Sequence, residues 1–235
     1  GGRLVIVSYE TSRAPDQFHA LLAAEKVTVL NQTPSSFRQL IAIDRHSNAQ
    51  LALRYVIFGG EALDLSSLIP WMDKHGDDQP QLINMYGITE TTVHVTWRRI
   101  DKTAVSANKG SLIGEPIPDL QLYVLDPSLQ PVPVGVLGEI FVGGAGVANG
   151  YLNRDELTRE RFINHPFRAG EKLYRTGDLA RFLPNRDMEY LGRIDQQVKI
   201  RGFRIELGEI EAVLNGHTAV KESVVLSYKT NTGET

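Results

Sequence analysis

The chain has no cysteine at all. That excludes disulfides and thiolate metal sites, and it makes the cytoplasm the expected compartment. No apolar run approaches the ~18 residues of a membrane span, and no cationic start leads into an apolar signal stretch. A membrane partner is therefore not expected. An excess of charge is missing too: 25 Lys and Arg stand against 28 Asp and Glu, a formal net charge of −3. Nucleic-acid binding favours a concentrated basic face, so no nucleic-acid partner is expected. Internal repeats and low-complexity tracts are absent, and the six histidines are scattered. What remains is a chain of 235 residues, 42% apolar, enough for a real core in one large domain or one and a half ordinary ones. It opens on "GGRLVIVS" and closes on "SYKTNTGET", just after a strand-like run. Neither end reads as a natural domain boundary, so a fragment is expected.

Strand and helix signals alternate over the first ~90 residues, which predicts βα units and a parallel sheet. "RLVIVS", "VTVLN", "LRYVIFGG" and "QLINMYG" are the strand candidates. "APDQFHALLAAEKV" sets Phe18, Leu21, Leu22 and Glu25 at helical spacing, with Asp16 as a start signal. "TPSSFRQLIAI" offers Thr33 as N-cap, Pro34 at the first helical position, and Phe37, Leu40 and Ile41 on one face. "LDLSSLIPWMDKHG" is helical with an expected kink at Pro70 and an end at Gly76. From about Ser106 the pattern changes to short strands between Gly, Pro and Asn turns: "LQLYVLD", "GEIFVGG", "KLYRTGD", "LARFLP" and "MEYLGR". This predicts an antiparallel or barrel-like region, interrupted by one helix, "RDELTRERFI". A hairpin "QQVKIRGFRIE", a helix "LGEIEAVLNGH" with Leu207, Ile210, Val213 and Leu214 on one side, and a strand "AVKESVVLSY" follow.

Chemistry gathers in few places. "NMYGITETTVHVTW" packs Thr89, Glu90, Thr91 and Thr92 into four positions after a strand. A turn carboxylate is the ordinary account of Glu90. Its place beyond the carboxyl end of a parallel strand, where α/β sheets bind ligands, supports a Mg²⁺ site shared with substrate phosphates. Asp178 in "YRTGDLA" is either a common turn aspartate or an acceptor for two sugar hydroxyls. Arg193 in "LGRID" is either a surface arginine or a fork on phosphate or ribose. "VGGAGVANGYLN" lacks the Walker ending and the strand-to-helix context of a phosphate loop, so it reads as a packed turn requiring close backbone approach. "KIRGFR" reads as a charged hairpin face.

Taken in order, "NMYGITETT", "GYLNRDELTRERFI" and "YRTGDLARFLPNRDMEYLGRIDQQVKIRGFRIELGEIE" resemble the adenylate-forming superfamily, and within it the adenylation domains of nonribosomal peptide synthetases. The resemblance covers essentially the whole chain. It implies an α/β fold: the second half of a large lobe (a βα parallel sheet at 1–105 and a small β-barrel-like region at 106–194), then the start of a small C-terminal α+β lobe at 195–235. It implies activation of an amino acid with ATP and Mg²⁺ to an aminoacyl-adenylate, and transfer to a phosphopantetheine thiol on a peptidyl carrier domain. By motif, Tyr86 would pack on adenine and Gly60, Glu61 and Ala62 would line its pocket, with Asn84 and Met85 in the same nucleotide set. Thr89 would touch the phosphates and Glu90 would hold the metal, as the catalytic pair. Asp178 would take the ribose hydroxyls, Arg193 ribose and phosphate, Tyr190 would flank the nucleotide, and Asp195 would be the hinge.

The family's phosphate loop and the aspartate for the substrate amino group belong upstream of this chain, and its catalytic lysine downstream. The chain alone is therefore expected to be poorly active, and the rest of the adenylation domain is an implied partner. The substrate-pocket positions map to Asn31, Ile57, Gly59, Met85, Val93 and His94. In order they resemble threonine-activating domains, with serine, valine and 2-aminobutyrate as near competitors. Ile57, Met85 and Val93 suit a methyl; Asn31 or His94 can bond a hydroxyl. A satisfied core histidine is the other account of His94. An acyl-CoA ligase and a non-catalytic interaction module are the alternative functions.

Overall fold

The computed structural model describes residues 1–107, 110–195, 197–200 and 202–228. Along the chain run α1 (Tyr9–Arg13), α2 (Pro15–Ala24), β1 (Val29–Gln32), α3 (Pro34–Asp44), β2 (Tyr55–Phe58), α4 (Ile69–His75) and β3 (Gln81–Tyr86). Then come β4 (Thr96–Ile100), α5 (Lys102–Ala107), β5 (Ser111–Leu112), β6 (Glu115–Pro116), β7 (Leu120–Leu125) and β8 (Gly138–Gly144). The last elements are α6 (Asp155–Arg161), β9 (Phe162–Asn164), β10 (Lys172–Phe182), β11 (Met188–Arg193), β12 (Val198–Ile200), β13 (Phe203–Ile205) and α7 (Leu207–Asn215).

The first sheet has the order β1-β2-β3-β4-β6. β1, β2 and β3 are parallel, as the alternating signals predict, and β4 returns antiparallel to β3. Parallel neighbours need crossovers, and helices supply them here. α3 starts where expected: the Thr33 side chain accepts from the Ser36 N–H, Pro34 opens the helix, and Phe37, Leu40 and Ile41 are buried. Their target is an aromatic cluster, with the Phe37 ring 5.0 Å from Phe58 and 4.8 Å from Trp71. Burial of such rings is worth several kcal/mol each, so this cluster fixes β2 against its two flanking helices. Pro70 does more than kink its helix. Leu65–Leu68 forms a separate 3-10 turn, and Pro70 sits in the first turn of α4.

The second sheet has the order β5-β11-β10-β8-β7, with β9 paired to one end of β10. All these pairs are antiparallel. The expected barrel-like region is thus an open sheet; among the described residues its end strands β5 and β7 do not meet. "KLYRTGD" and "LARFLP" form one long strand, β10, in which the register shifts around Gly177 instead of turning. The glycine-rich stretch is a close-packed turn as expected. A Cβ on Gly144, at φ +104, would lie 2.5 Å from the Asp119 carbonyl oxygen.

Two expected strands are not formed. "RLVIVS" pairs with nothing among the described residues, and Leu4 and Ile6 are 88% and 87% exposed. "AVKESVVLSY" carries no strand, and Val224 and Leu226 face solvent. Apolar composition favours a strand only when a ladder partner and a covering face exist, and neither segment has them here. The hairpin β12–β13 does form, with Lys199 opposite Arg204, and α7 follows it. Of the expected α7 face only Leu207 is buried; Ile210, Val213 and Leu214 are exposed. Residues 196, 201 and 229–235 of the expected small lobe lie outside the described residues.

Candidate active site

The segment between β3 and β4 is folded tightly by necessity. A Cβ on Gly87 would lie 1.8 Å from the Val93 carbonyl oxygen, so only glycine fits. Thr92 and Val93 take φ of 61° and 72°, a region that β-branched residues rarely enter. The Val93 N–H donates to Ile88 O at 3.1 Å, and the Val95 N–H to Tyr86 O at 2.7 Å. This compact loop turns Thr89, Val93 and His94 toward one cleft at the carboxyl ends of the parallel strands.

That cleft has a volume of about 570 Å³, and Asn31, Ile57, Gly59, Met85, Val93 and His94 all line it. The six come from the ends of β1, β2 and β3 and from the loop, so no single element positions them. The imidazole packs over Gly59: a Cβ there would sit 3.5 Å from His94 Cε1, in ordinary contact. Burial pushes the His94 pKa below its ordinary value, so the ring is neutral near pH 7.

A narrow crevice of about 30 Å³ adjoins the cleft, lined by Gly60, Glu61, Ala62, Asn84, Met85, Tyr86 and Tyr190. Met85 belongs to both spaces. Two of its polar side chains are tied into the scaffold. The Glu61 carboxylate accepts from Ser35 N–H at 3.0 Å and Ser35 Oγ at 2.9 Å, where it meets the positive end of α3. Asn84 Nδ2 donates to Leu112 O at 2.7 Å, holding β3 to β5.

Asp178 is completely buried, and its oxygens are partnered inside the protein. Tyr86 Oη donates to Oδ2 at 2.7 Å and Arg193 Nη1 to Oδ1 at 2.9 Å. Tyr190 Oη stands 3.5 Å from Oδ1. Burial, reinforced by the Asp178 charge, raises the pKa of both tyrosines, so both are donors. Arg193 also forks onto Asp195, with Nε and Nη2 each 2.7 Å from one carboxylate oxygen. Asp178, Tyr190, Arg193 and Asp195 thus form one linked group, and Tyr86 joins it to the first sheet. A sugar diol on Asp178 would have to replace one of these donors.

Glu90, the second candidate acid of the site, is buried as well. Tyr151 Oη donates to its Oε1 at 2.7 Å and Tyr174 Oη at 3.0 Å. Arg204 Nη1 lies 2.8 Å from Oε1 and 3.0 Å from Oε2. Burial raises the Glu90 pKa, but the Tyr151 hydrogen bond and the Arg204 charge reverse this, and the net shift is downward. Among the described residues no group of three or more His, Cys, Asp or Glu is placed to cage a metal. Glu90 would have to release Arg204 to hold Mg²⁺, which is usually bound by one or two carboxylates with substrate phosphates.

Sequence reading missed Lys199, Arg204, Tyr151 and Tyr174. Lys199 lines both the cleft and the crevice, and burial lowers its pKa. A signal existed: Lys199 and Arg204 are directly opposite on a hairpin. Like charges so placed repel unless they face anions, here Glu90 and Asp178.

The fold and this clustering define an AMP-binding enzyme. A family model described as "AMP-binding enzyme" matches residues 1–152, and the chain belongs to that family. It is 55% identical over 238 residues to a dimodular nonribosomal peptide synthase of Bacillus subtilis (strain 168), covering 100% of this chain and 10% of the relative. It is 48% identical to syringomycin synthase SyrB1 of Pseudomonas syringae pv. syringae, covering 94% of this chain and 36% of that one. The chain therefore spans about a tenth to a third of the length of these relatives. Among solved structures, holo-PA1221, a protein with adenylation and PCP domains bound to a vinylsulfonamide inhibitor, matches with TM-score 0.81 and 28% identity. That match covers 88% of this chain and 36% of the other. The adenylate-forming fold and the kinship with nonribosomal peptide synthetases are thereby established.

Proposed function

We propose that the chain is part of an amino-acid adenylation domain that makes an aminoacyl-adenylate from ATP and an amino acid, most favourably L-threonine. The acyl group then passes to the phosphopantetheine thiol of a peptidyl carrier domain. The observation that supports this reading is the convergence of all six pocket positions on one cleft. Ile57, Met85 and Val93 give the cleft apolar wall for a methyl. The neutral His94 ring can donate to or accept from a side-chain hydroxyl, and Asn31 offers a second polar group.

In this reading the substrate carboxylate attacks the α-phosphorus of ATP, and pyrophosphate leaves. Tyr86 and Tyr190 would contact the adenosine, and Asp178, on giving up one of its donors, would orient the ribose with Arg193. Thr89 meets the phosphates. Glu90 would hold Mg²⁺, which would supply positive charge to the phosphate oxygens. Residues 1–194 are taken as part of the large lobe and 195–235 as the start of the small one, with Asp195 as the hinge. The test is substrate-dependent ATP–pyrophosphate exchange by the full-length protein. Exchange driven by threonine supports the reading. Exchange driven only by fatty or aryl acids assigns the protein to acyl-CoA ligase-like chemistry instead.

A further inference from the structure

We propose that Tyr151, with Tyr174 beside it, is a positioning residue for the Glu90 carboxylate, and that the glycine-rich turn 144–150 serves the reaction by carrying Tyr151. This rests on the reading of Glu90 as the metal ligand.

The turn is fastened to the loop that bears Glu90. The Thr92 hydroxyl donates to Gly146 O at 2.7 Å, and the Ala148 N–H donates to Glu90 O at 2.9 Å. A Cβ on Gly146 would lie 3.3 Å from the Thr91 carbonyl oxygen, so the two backbones run close together. The next residues aim the tyrosine. A Cβ on Gly150 would lie 2.5 Å from Thr158 Cγ2, so only glycine lets the chain approach α6 here. Thr158 Oγ1 then accepts from the Tyr151 N–H at 2.9 Å. The Tyr151 ring meets Phe162 edge-on at 5.4 Å, and Phe162 meets Tyr174 in the same way at 4.9 Å. Ile88, from the Glu90 loop, packs in this apolar cluster too.

The backbone bonds thus place the loop, and the two hydroxyls place its carboxylate. Tyr151 Oη donates to Glu90 Oε1 at 2.7 Å and Tyr174 Oη at 3.0 Å. Arg204 Nη1 spans both oxygens, 2.8 Å from Oε1 and 3.0 Å from Oε2, and so does not distinguish them. The tyrosines do: Oε1 carries their hydrogen bonds and Oε2 receives neither. A carboxylate held in one orientation loses less side-chain freedom when it binds a cation. Hydrogen-bond partners of a metal ligand typically account for ~10–100-fold in metal affinity.

The experiment titrates Mn²⁺ into the full-length protein saturated with ATP, without amino acid, and reads the protein-bound ion by electron paramagnetic resonance. Thermal unfolding of the same proteins checks that each is folded at the titration temperature. The variants are Tyr151→Phe, Tyr174→Phe, the double variant and Glu90→Gln. Phenylalanine keeps the ring on Phe162 and removes only the donor. Tyr151→Phe is expected to weaken Mn²⁺ binding ~10–100-fold, and the double variant at least as much. The Mg²⁺ concentration for half-maximal pyrophosphate exchange should rise by the same factor, while the KM for the amino acid stays at the wild-type value. Wild-type Mn²⁺ affinity in the folded double variant, with binding weakened in Glu90→Gln, overturns the positioning role and leaves the metal assignment standing. A fall in Mn²⁺ affinity matched by an equal rise in the amino-acid KM also overturns it, since that is the mark of a general structural defect. Undiminished binding in Glu90→Gln overturns the metal assignment, and the positioning role with it.

Discussion

The Tyr86 hydroxyl donates to Asp178 across 2.7 Å, and this bond ties the last parallel strand of the first sheet to the long strand of the second. Both groups are buried, so neither has water as a substitute partner. Tyr86→Phe should leave one carboxylate oxygen without its donor and cost about 1–3 kcal/mol. Urea unfolding of the full-length protein measures this; a midpoint equal to wild type would remove the bond from the account.

Arg193 is the next link of the same group. Its guanidinium serves Asp178 and Asp195 at once. Arg193→Ala should strand the Asp178 charge in the interior and cost about 3–5 kcal/mol. Arg193→Lys should not restore it, because a point charge cannot fork onto two carboxylates. Full rescue of stability and of the KM for ATP by lysine would contradict this geometry.

Asp195 gives a pH signature. Its hydrogen bonds to Arg193 hold its pKa below the ordinary aspartate value of 3.8, against the smaller upward push of burial. The folded pKa is below the unfolded one, so the stabilisation is complete above pH ~4 and fades as pH falls through the folded value. The stability difference between wild type and Asp195→Asn, present at pH 7, should therefore shrink on acidification below pH ~4. A difference that stays constant down to pH ~3 would show that the Arg193 fork adds nothing through charge.

Loss of the carboxylate at Glu90 should act on activity. Glu90→Gln keeps an acceptor for Tyr151 and Tyr174 and removes the charge that, in the proposed function, would hold Mg²⁺. Adenylate formation should fall by about 2–4 kcal/mol of transition-state stabilisation, by analogy with loss of one electrostatic contact. Pyrophosphate exchange at limiting Mg²⁺ reads this directly, and an unchanged rate would dissociate Glu90 from the metal.

Much of the scaffold was legible because local chemistry and tertiary context agree. Thr33, Pro34 and the Phe37, Leu40, Ile41 stripe start and orient α3 as their types dictate. The parallel β1–β3 order follows from strands alternating with helices. β4 was not legible: "TWRRI" has no simple alternation, since Thr96 is buried while Arg98 turns to an ion pair with Asp187 at 2.6 Å. "RLVIVS" misleads in the opposite direction, because its strand-like composition finds no ladder partner. Among the site residues, the loop from Asn84 to His94 announces itself by Gly87 and its hydroxyl cluster. The Glu90–Arg204 pair does not, because its members are 114 positions apart and are brought together only by the tertiary fold. The tyrosines on Glu90 were hidden for the same reason: Tyr151 and Tyr174 stand in a turn and a strand whose meeting point depends on the second sheet.

The most direct measurement of the central claim is ATP–pyrophosphate exchange by the full-length protein with threonine, serine, valine and 2-aminobutyrate, for wild type and His94→Ala. Serine lacks one methyl, so threonine should be preferred by a modest ~10–200-fold. Valine lacks the hydroxyl and leaves a buried polar group unpaired, so its rejection should be stronger, up to ~10⁴–10⁵-fold. His94→Ala should narrow the gap between threonine and valine. Because burial keeps the His94 pKa below 6.5, wild-type selectivity should hold steady above that pH. Equal or faster exchange with valine, or with a large aromatic amino acid, would contradict the pocket assignment.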